Sequence, residues 1–155
     1  MASPDNSGIL IVAENRKAFR DYEITELFEA GISLLGSEVK SIRGGGINLK
    51  DSYVQVRSEE VFLYSCHISP YAHSRVDAHR PERMRKLLLN RKEIDRLQGL
   101  IQQKGLTIIP LKVYFKKGKC KFELGVGRGK KSFDKRQDIK KKETDRRIAR
   151  ALSRK

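Results

Sequence analysis

The sequence predicts a mostly β fold: a small antiparallel barrel with about three helices at its ends, followed by a basic C-terminal tail that is disordered when free. Three observations lead there. Several short apolar runs alternate with a period of two and are bounded by turn residues. One long helical pattern stands among them without a βαβ rhythm. From Arg128 to Lys155 there are 13 Lys/Arg against 4 Asp/Glu, and Phe133, Ile139, Ile148 and Leu152 are the only large apolar residues. Such a segment buries too little apolar area to offset the entropy of ordering its backbone. The division expected is a frayed N-terminus over 1–8, a barrel over 9–131 and a basic tail over 132–155 that turns helical once docked.

The N-terminal half supplies the first elements. Gly8 to Val12 is a continuous apolar run with β-branched residues and reads as a buried strand. Asn15 to Arg20 reads as a basic connector. Ile24, Leu27 and Phe28 then fall at helical spacing, with Asp21 to cap and Gly31 to stop, so a helix is expected from Tyr22 to Ala30. Ile32 to Leu35 reads as a short strand. Gly36 to Arg43 reads as a small helix capped by Ser37, ended by Gly44-Gly45-Gly46. No P-loop Lys-Ser/Thr follows those glycines, so they read as a connector. Ser52 to Arg57 and Val61 to Cys66 flank a turn at Ser58-Glu59-Glu60 and form a hairpin. Ile68 to Pro81 has no period and reads as a long loop.

The second half is clearer. Asn90-Arg-Lys-Glu93 is a capping box, with Leu89 and Ile94 as its hydrophobic staple. The helix it opens should run to Lys104, with Ile94, Leu97 and Ile101 on one face and Gly105 as its stop. The triple Leu87-Leu88-Leu89 then ends an extended segment. Thr107 to Lys116 and Lys119 to Val126 alternate about a Lys117-Gly118 turn and form a second hairpin, with Pro110 suited to an edge. An oligonucleotide-binding (OB-like) barrel fits this order, size and charge.

Composition narrows the partner. The chain has 155 residues, a net charge of +15 and a pI near 10.0. That favours nucleic acid. Trp is absent, and no apolar run approaches the roughly 20 residues that span a bilayer. No signal-peptide pattern opens the chain, so a cytoplasmic protein without a membrane partner is expected. Cys66 and Cys120 imply no disulfide framework there.

A catalytic reading finds little support. His67, His73 and His79 lie near Cys66, but their spacing matches no closed zinc pattern. They read as surface histidines, and no metal or cofactor is expected. Both cysteines fall on apolar strand positions and read as inert core thiols. Glu26, Glu29, Glu59 and Glu60 form no recognisable acid/base pair. In the tail, by contrast, Lys130-Lys131 and Lys135-Arg136 bracket Phe133, an aromatic able to stack on a base. Two competitors remain. A generic single-strand-binding OB protein would need an aromatic platform, for which Tyr53, Tyr64 and Tyr114 are the candidates; a small nuclease would need a metal-dependent carboxylate or His cluster.

Several motifs in order carry a family resemblance. They are Asn15-Arg-Lys-Ala-Phe-Arg-Asp-Tyr22, Phe28-Glu-Ala-Gly-Ile32, Gly36-Ser-Glu-Val-Lys-Ser41, Asn48-Leu-Lys-Asp-Ser-Tyr53, Arg85-Lys-Leu-Leu-Leu-Asn90, Gly127-Arg-Gly-Lys-Lys131 and Asp134-Lys-Arg136. Together they closely resemble small protein B (SmpB), the tmRNA-binding family of bacterial trans-translation, from Ile9 almost to the end. The resemblance implies an OB-type barrel that binds the tRNA-like domain of tmRNA and stands in for an anticodon arm. It implies a tail in the decoding centre and mRNA channel of a stalled ribosome, a monomer and no enzymatic activity. It places a body RNA site on Tyr22, Glu29, Lys40, Leu88 and Asn90. The tail site would comprise Gly129, Lys130, Lys131, Phe133, Asp134, Lys135, Arg136, Lys140 and Arg147. The family often has His where this chain has Phe133, which keeps stacking and lacks an imidazole. Glu29 would then lie in the last turn of its expected helix, where an acid opposes the helix dipole and so has another use.

Overall fold

The computed structural model describes residues 8–71, 79–103, 105–130 and 132–153, with the side chains of 132–139 and 152–153 outside that description. Nine strands and four helices are described: β1 (Ile9–Glu14), α1 (Arg16–Asp21), β2 (Tyr22–Ile32), α2 (Gly36–Arg43), β3 (Ile47–Asn48), β4 (Tyr53–Arg57), β5 (Glu60–Tyr64), β6 (His67–Ile68), β7 (Arg85–Leu88), α3 (Arg91–Ile101), β8 (Leu106–Lys116), β9 (Lys119–Gly129) and α4 (Ser132–Ser153). Seven strands form one antiparallel sheet in the order β1-β8-β4-β5-β7-β2-β9. A further β8–β9 pairing closes β8, β4, β5, β7, β2 and β9 into a ring, with β1 attached to β8. β3 and β6 pair separately, at Ile47–Ile68.

Both expected hairpins are present. Ser58 and Glu59 turn with φ of 50° and 64°, and Lys117 and Gly118 with 52° and 80°. Two successive positive φ angles match the right-handed twist of the flanking strands. Apolar side chains on the ring's inner face, among them Val61, Leu63, Leu87, Phe122, Leu124 and Val126, form the main core, and Leu97 of α3 closes one end.

The principal correction concerns Tyr22–Ala30, which is strand rather than helix. Its three apolar markers point to three places. Phe28 enters the main core, Leu27 is 55% exposed, and Ile24 joins a second cluster with Ala18, Ile109 and Leu111. A bulge between Ile24 and Glu26 separates them, shifting the register against β9. Asn15–Arg20, expected as a connector, opens α1, which covers the second cluster. Asn15 caps it, accepting from the Ala18 N–H at 3.2 Å and donating to the Pro110 carbonyl at 3.1 Å. Pro110 lies inside β8 rather than at an edge, where a bulge against β9 tolerates its missing N–H.

Smaller differences follow the same logic. Only Ile32 of the expected strand to Leu35 belongs to a strand, the end of β2. Ser37 is not the α2 cap: Glu38 reaches back to the Leu35 N–H at 2.8 Å, and the Ser37 hydroxyl pairs with His79. α3 is capped by Asn90 as expected, and it ends at Ile101 rather than Lys104. The expected loop from Ile68 opens within β6, and 72–78 lie outside the described residues.

Two glycines are required by close approach. A Cβ on Gly127 would stand 2.3 Å from the Glu23 carbonyl oxygen; one on Gly125 would stand 2.6 Å from Leu111 Cδ1. The first neighbour is backbone and cannot rotate away. Gly127→Ala is therefore expected to cost at least the upper part of the roughly 1–3 kcal/mol typical of overpacking. A melting temperature equal to the parent's would contradict this.

Candidate nucleic-acid interface

Four neighbouring strands present one outer face. Register places Lys112, Glu123 and Glu29 in one row across β8, β9 and β2, and Tyr114, Lys121, Gly31 and Leu88 in the next, reaching β7. Glu29 is thus a strand carboxylate, and no helix dipole acts on it. It accepts a hydrogen bond from the Tyr114 hydroxyl and sits 3.5 Å from the Lys116 ammonium. The Tyr114 bond lowers the Glu29 pKa most; partial burial opposes it, and Lys116 and Lys121 lower it further. Burial, then the Glu29 bond, raises the Tyr114 phenol well above its ordinary range. Lys112 pairs with Glu123 at 3.8 Å.

Leu88 extends this face as an exposed apolar knob. It is 50% exposed, and its Cβ lies where a side chain on Gly31 would make contact. Asn90 follows at the sheet corner as the α3 cap. Its side chain accepts from the Glu93 N–H at 3.0 Å, and Glu93 accepts from the Asn90 N–H at 3.4 Å. Asn90 is itself exposed, with its side-chain N–H groups outside these two bonds. Glu29 and Leu88 therefore stand on adjacent strands, with Asn90 beside them.

The other two body residues lie elsewhere. Tyr22 is seven residues from Glu29 along β2, roughly 23 Å for an extended chain. It pairs with Gly129, and the Lys130 N–H donates to the Asp21 carbonyl at 2.8 Å, so it marks the root of the tail. Lys40 is exposed on α2, its ammonium 5.6 Å from the Tyr71 ring centroid.

The described part of the tail is one helix, α4. Its described side chains from Lys140 to Ala151 are all exposed. Phe19 and Arg20 of α1 face Lys141, Lys142 and Asp145 across a cleft. Lys140 and Arg147 are seven residues apart and share a face two turns long. Lys131 and the side chains of Phe133, Asp134, Lys135 and Arg136 lie outside the described residues. Over those described residues α4 has no buried face and rests on propensity and i,i+4 contacts, which are marginal in water.

The lysines of β8 and β9 around Glu29 were missed as site residues. Their signal was the polar half of the second hairpin, Lys112, Lys116, Lys119 and Lys121, on alternate positions. One histidine reading is corrected: His79 is buried, with Nδ1 2.9 Å from the Ser37 hydroxyl and Nε2 2.8 Å from the Ile68 carbonyl. His73 lies outside the described residues. Burial pushes both thiols up to about 12. Among the described residues no group of three His, Cys, Asp or Glu could hold a metal ion, and no helix is long and apolar enough to cross a membrane.

A ring of antiparallel strands with a lysine-rich outer face and a basic helical arm defines a nucleic-acid-binding protein. The model of the SmpB protein family matches residues 12–154, and the chain belongs to that family. It is 56% identical over 144 residues to the SsrA-binding protein of Syntrophobacter fumaroxidans, covering 93% of this chain and 89% of the relative. It is 57% identical over 145 residues to that of Chloroflexus aurantiacus, covering 93% and 91%. A solved structure described as "tmRNA-SmpB: a journey to the center of the bacterial ribosome" superposes with a TM-score of 0.66 and 46% identity, over 79% of this chain and 85% of that one. These relatives are named for binding an RNA, not for catalysis.

Proposed function

We propose that the protein binds tmRNA (SsrA RNA) by its tRNA-like domain and serves the rescue of stalled ribosomes by trans-translation. The observation that carries this is the 46% identity to the chain in the tmRNA-SmpB structure, over four-fifths of the sequence. The body, residues 9–131, holds the RNA through Glu29, Leu88, Asn90 and the surrounding lysines and replaces an anticodon arm. It helps position tmRNA in the ribosomal A site as a monomer in the cytoplasm. The tail, residues 132–155, enters the decoding centre and mRNA channel. A lysine-rich sheet reads phosphates and RNA shape, with little direct base readout.

The first test is binding to a tRNA-like tmRNA fragment against an unrelated structured RNA, for the full chain and the 1–131 body, at two salt concentrations. A specific site on the body keeps its preference at the higher salt. Affinity that follows the tail's charge alone would make the protein a nonspecific polyanion binder.

Glu29→Arg provides a sharper discrimination. Charge alone predicts tighter RNA binding, because the variant is more basic. The geometry predicts weaker binding, since Tyr114 and Lys116 lose the carboxylate that orients them. A loss of about 10- to 100-fold is expected, the equivalent of a charged hydrogen bond. Asn90→Ala should act in the same direction while also costing about 1 kcal/mol of stability as a lost cap. Tighter binding by Glu29→Arg, by filter retention or calorimetry, would refute the assignment.

A further inference from the structure

Glu29 places a carboxylate on a surface offered to a polyanion. RNA phosphates repel an ionised acid and favour its protonated form. The acid serves binding there as an acceptor for a neutral N–H or O–H of the RNA, and a carboxylate is acceptor-only while it stays ionised. Neighbouring groups have to keep it so.

Those groups come from β8 and β9. Tyr114 donates its hydroxyl to Glu29 Oε2, and the Lys116 ammonium lies 3.5 Å from the same oxygen. Among the described residues both contacts fall on Oε2, which leaves Oε1 for a ligand. The Glu29 side chain is 40% exposed, so a ligand can reach it. Lys121 adds a favourable charge from β9. Glu123, opposite Glu29 in the register, is a like charge, and Lys112 pairs with it at 3.8 Å. On the β7 side the register brings Leu88 against Gly31, without charge. The Tyr114 bond lowers the Glu29 pKa most, ahead of Lys116 and Lys121, against the opposing effect of burial.

Tyr114 is built for this task. It is only 8% exposed, so its ring offers no platform for a base, while its hydroxyl reaches the outer face. Its backbone is held on both sides, against Ile11 of β1 and Lys121 of β9. A donor locked by packing fixes its acceptor with little further loss of freedom. We propose that Tyr114 is a positioning residue for RNA binding: its hydroxyl holds Glu29 by Oε2, so that Oε1 meets a neutral hydrogen-bond donor of the RNA. This rests on the proposed role of Glu29 in binding the tRNA-like domain and adds the residue that makes its carboxylate usable.

The test measures affinity of the full chain for a tRNA-like tmRNA fragment from neutral pH down to about pH 4, near the ordinary carboxylate range. It compares the parent, Tyr114→Phe, Glu29→Ala and the double variant. At neutral pH, Tyr114→Phe should weaken binding about 2- to 13-fold, the equivalent of one hydrogen bond. In the Glu29→Ala background the same change should have no further effect, because Tyr114 acts through Glu29. Glu29→Ala also carries every other titration of protein and RNA and so is the reference for the pH profile. Relative to it, the acid loss of affinity should begin at higher pH in Tyr114→Phe than in the parent, since the bond that lowers the carboxylate pKa most is gone. A merely structural tyrosine would not move this limb. Replacing single 2′-hydroxyls of the fragment by hydrogen separates the donor sources. A position that costs the parent affinity, but not Glu29→Ala, assigns a ribose hydroxyl; without one the donor is a base N–H. A parent-like profile for Tyr114→Phe, or an equal loss with and without Glu29, overturns the positioning role and leaves the Glu29 reading standing. Parent-like affinity of Glu29→Ala overturns both. Circular dichroism at each pH distinguishes lost contact from lost fold.

Discussion

Ending the chain at Lys131 should leave binding of the tRNA-like RNA within about tenfold of the parent and reduce ribosome rescue to background. Ser132 to Lys155 carries ten Lys/Arg against four Asp/Glu, +6 of the chain's +15. An electrostatic reading predicts the opposite, with RNA affinity falling steeply as those charges go. The reason to expect otherwise is geometric. Glu29, Leu88 and their lysine neighbours are fixed by a ring of paired strands in which α4 has no place. The tail leaves β9 after Gly129 and turns no described side chain into the core. Sites so separated act nearly independently. Affinity for an unrelated RNA should fall more than affinity for the tRNA-like fragment, because that binding depends on charge number. Rescue is read as release of nascent chains from ribosomes stalled at a message's end. Equal loss of tRNA-like RNA affinity in the 1–131 body and in Glu29→Arg would contradict the division into body and tail.

The legible parts of the fold are those whose signals are local. The Asn90 capping box, the two hairpin turns and the alternation of β8 and β9 lie within a few residues of the structure they specify. Tyr22–Ala30 failed because the deciding partner is distant. Ile24, Leu27 and Phe28 have helical spacing, but Gly125 and Gly127, some hundred residues on, accept that segment as a paired strand. A bulge then turns Ile24 towards a different cluster from Phe28. The family motifs did mark Glu29, Leu88 and Asn90, and the structure brings them to one region. No local pattern could show that Tyr114 donates to Glu29 from 85 positions away. The same holds for His79, whose partners are Ser37 and the Ile68 carbonyl.

The buried charge pair is another long-range feature, and removing half of it should have the largest effect on stability. Glu38 and Arg85 are both fully buried and form an ion pair. Arg83 adds a second bond to Glu38 at 2.6 Å, and the Leu35 N–H a third at 2.8 Å. Arg85 also donates to the carbonyls of Cys66 at 2.8 Å and Pro81 at 3.1 Å. One guanidinium thus ties α2, β6's approach and the segment before β7. Arg85→Ala takes the buried partner from the Glu38 carboxylate and a donor from the Cys66 carbonyl, and should cost about 3–5 kcal/mol. Replacing both charges, with Glu38→Leu and Arg85→Met, should cost less than the two single changes together, since no lone charge stays buried. It should not be neutral, because the Cys66 carbonyl still loses the guanidinium as donor, although Pro81 keeps the Ile68 N–H at 2.9 Å. The pH dependence follows. Burial raises the Glu38 pKa, but the bonds from Arg83, Leu35 and Arg85 outweigh it and leave it below 4.5. Its contribution is therefore fully present above about pH 4.5 and is lost as pH falls through the lower, folded value. Urea unfolding of the full chain at neutral and acid pH measures both effects. A midpoint for Arg85→Ala within about 1 kcal/mol of the parent would show that the pair does not hold these elements together.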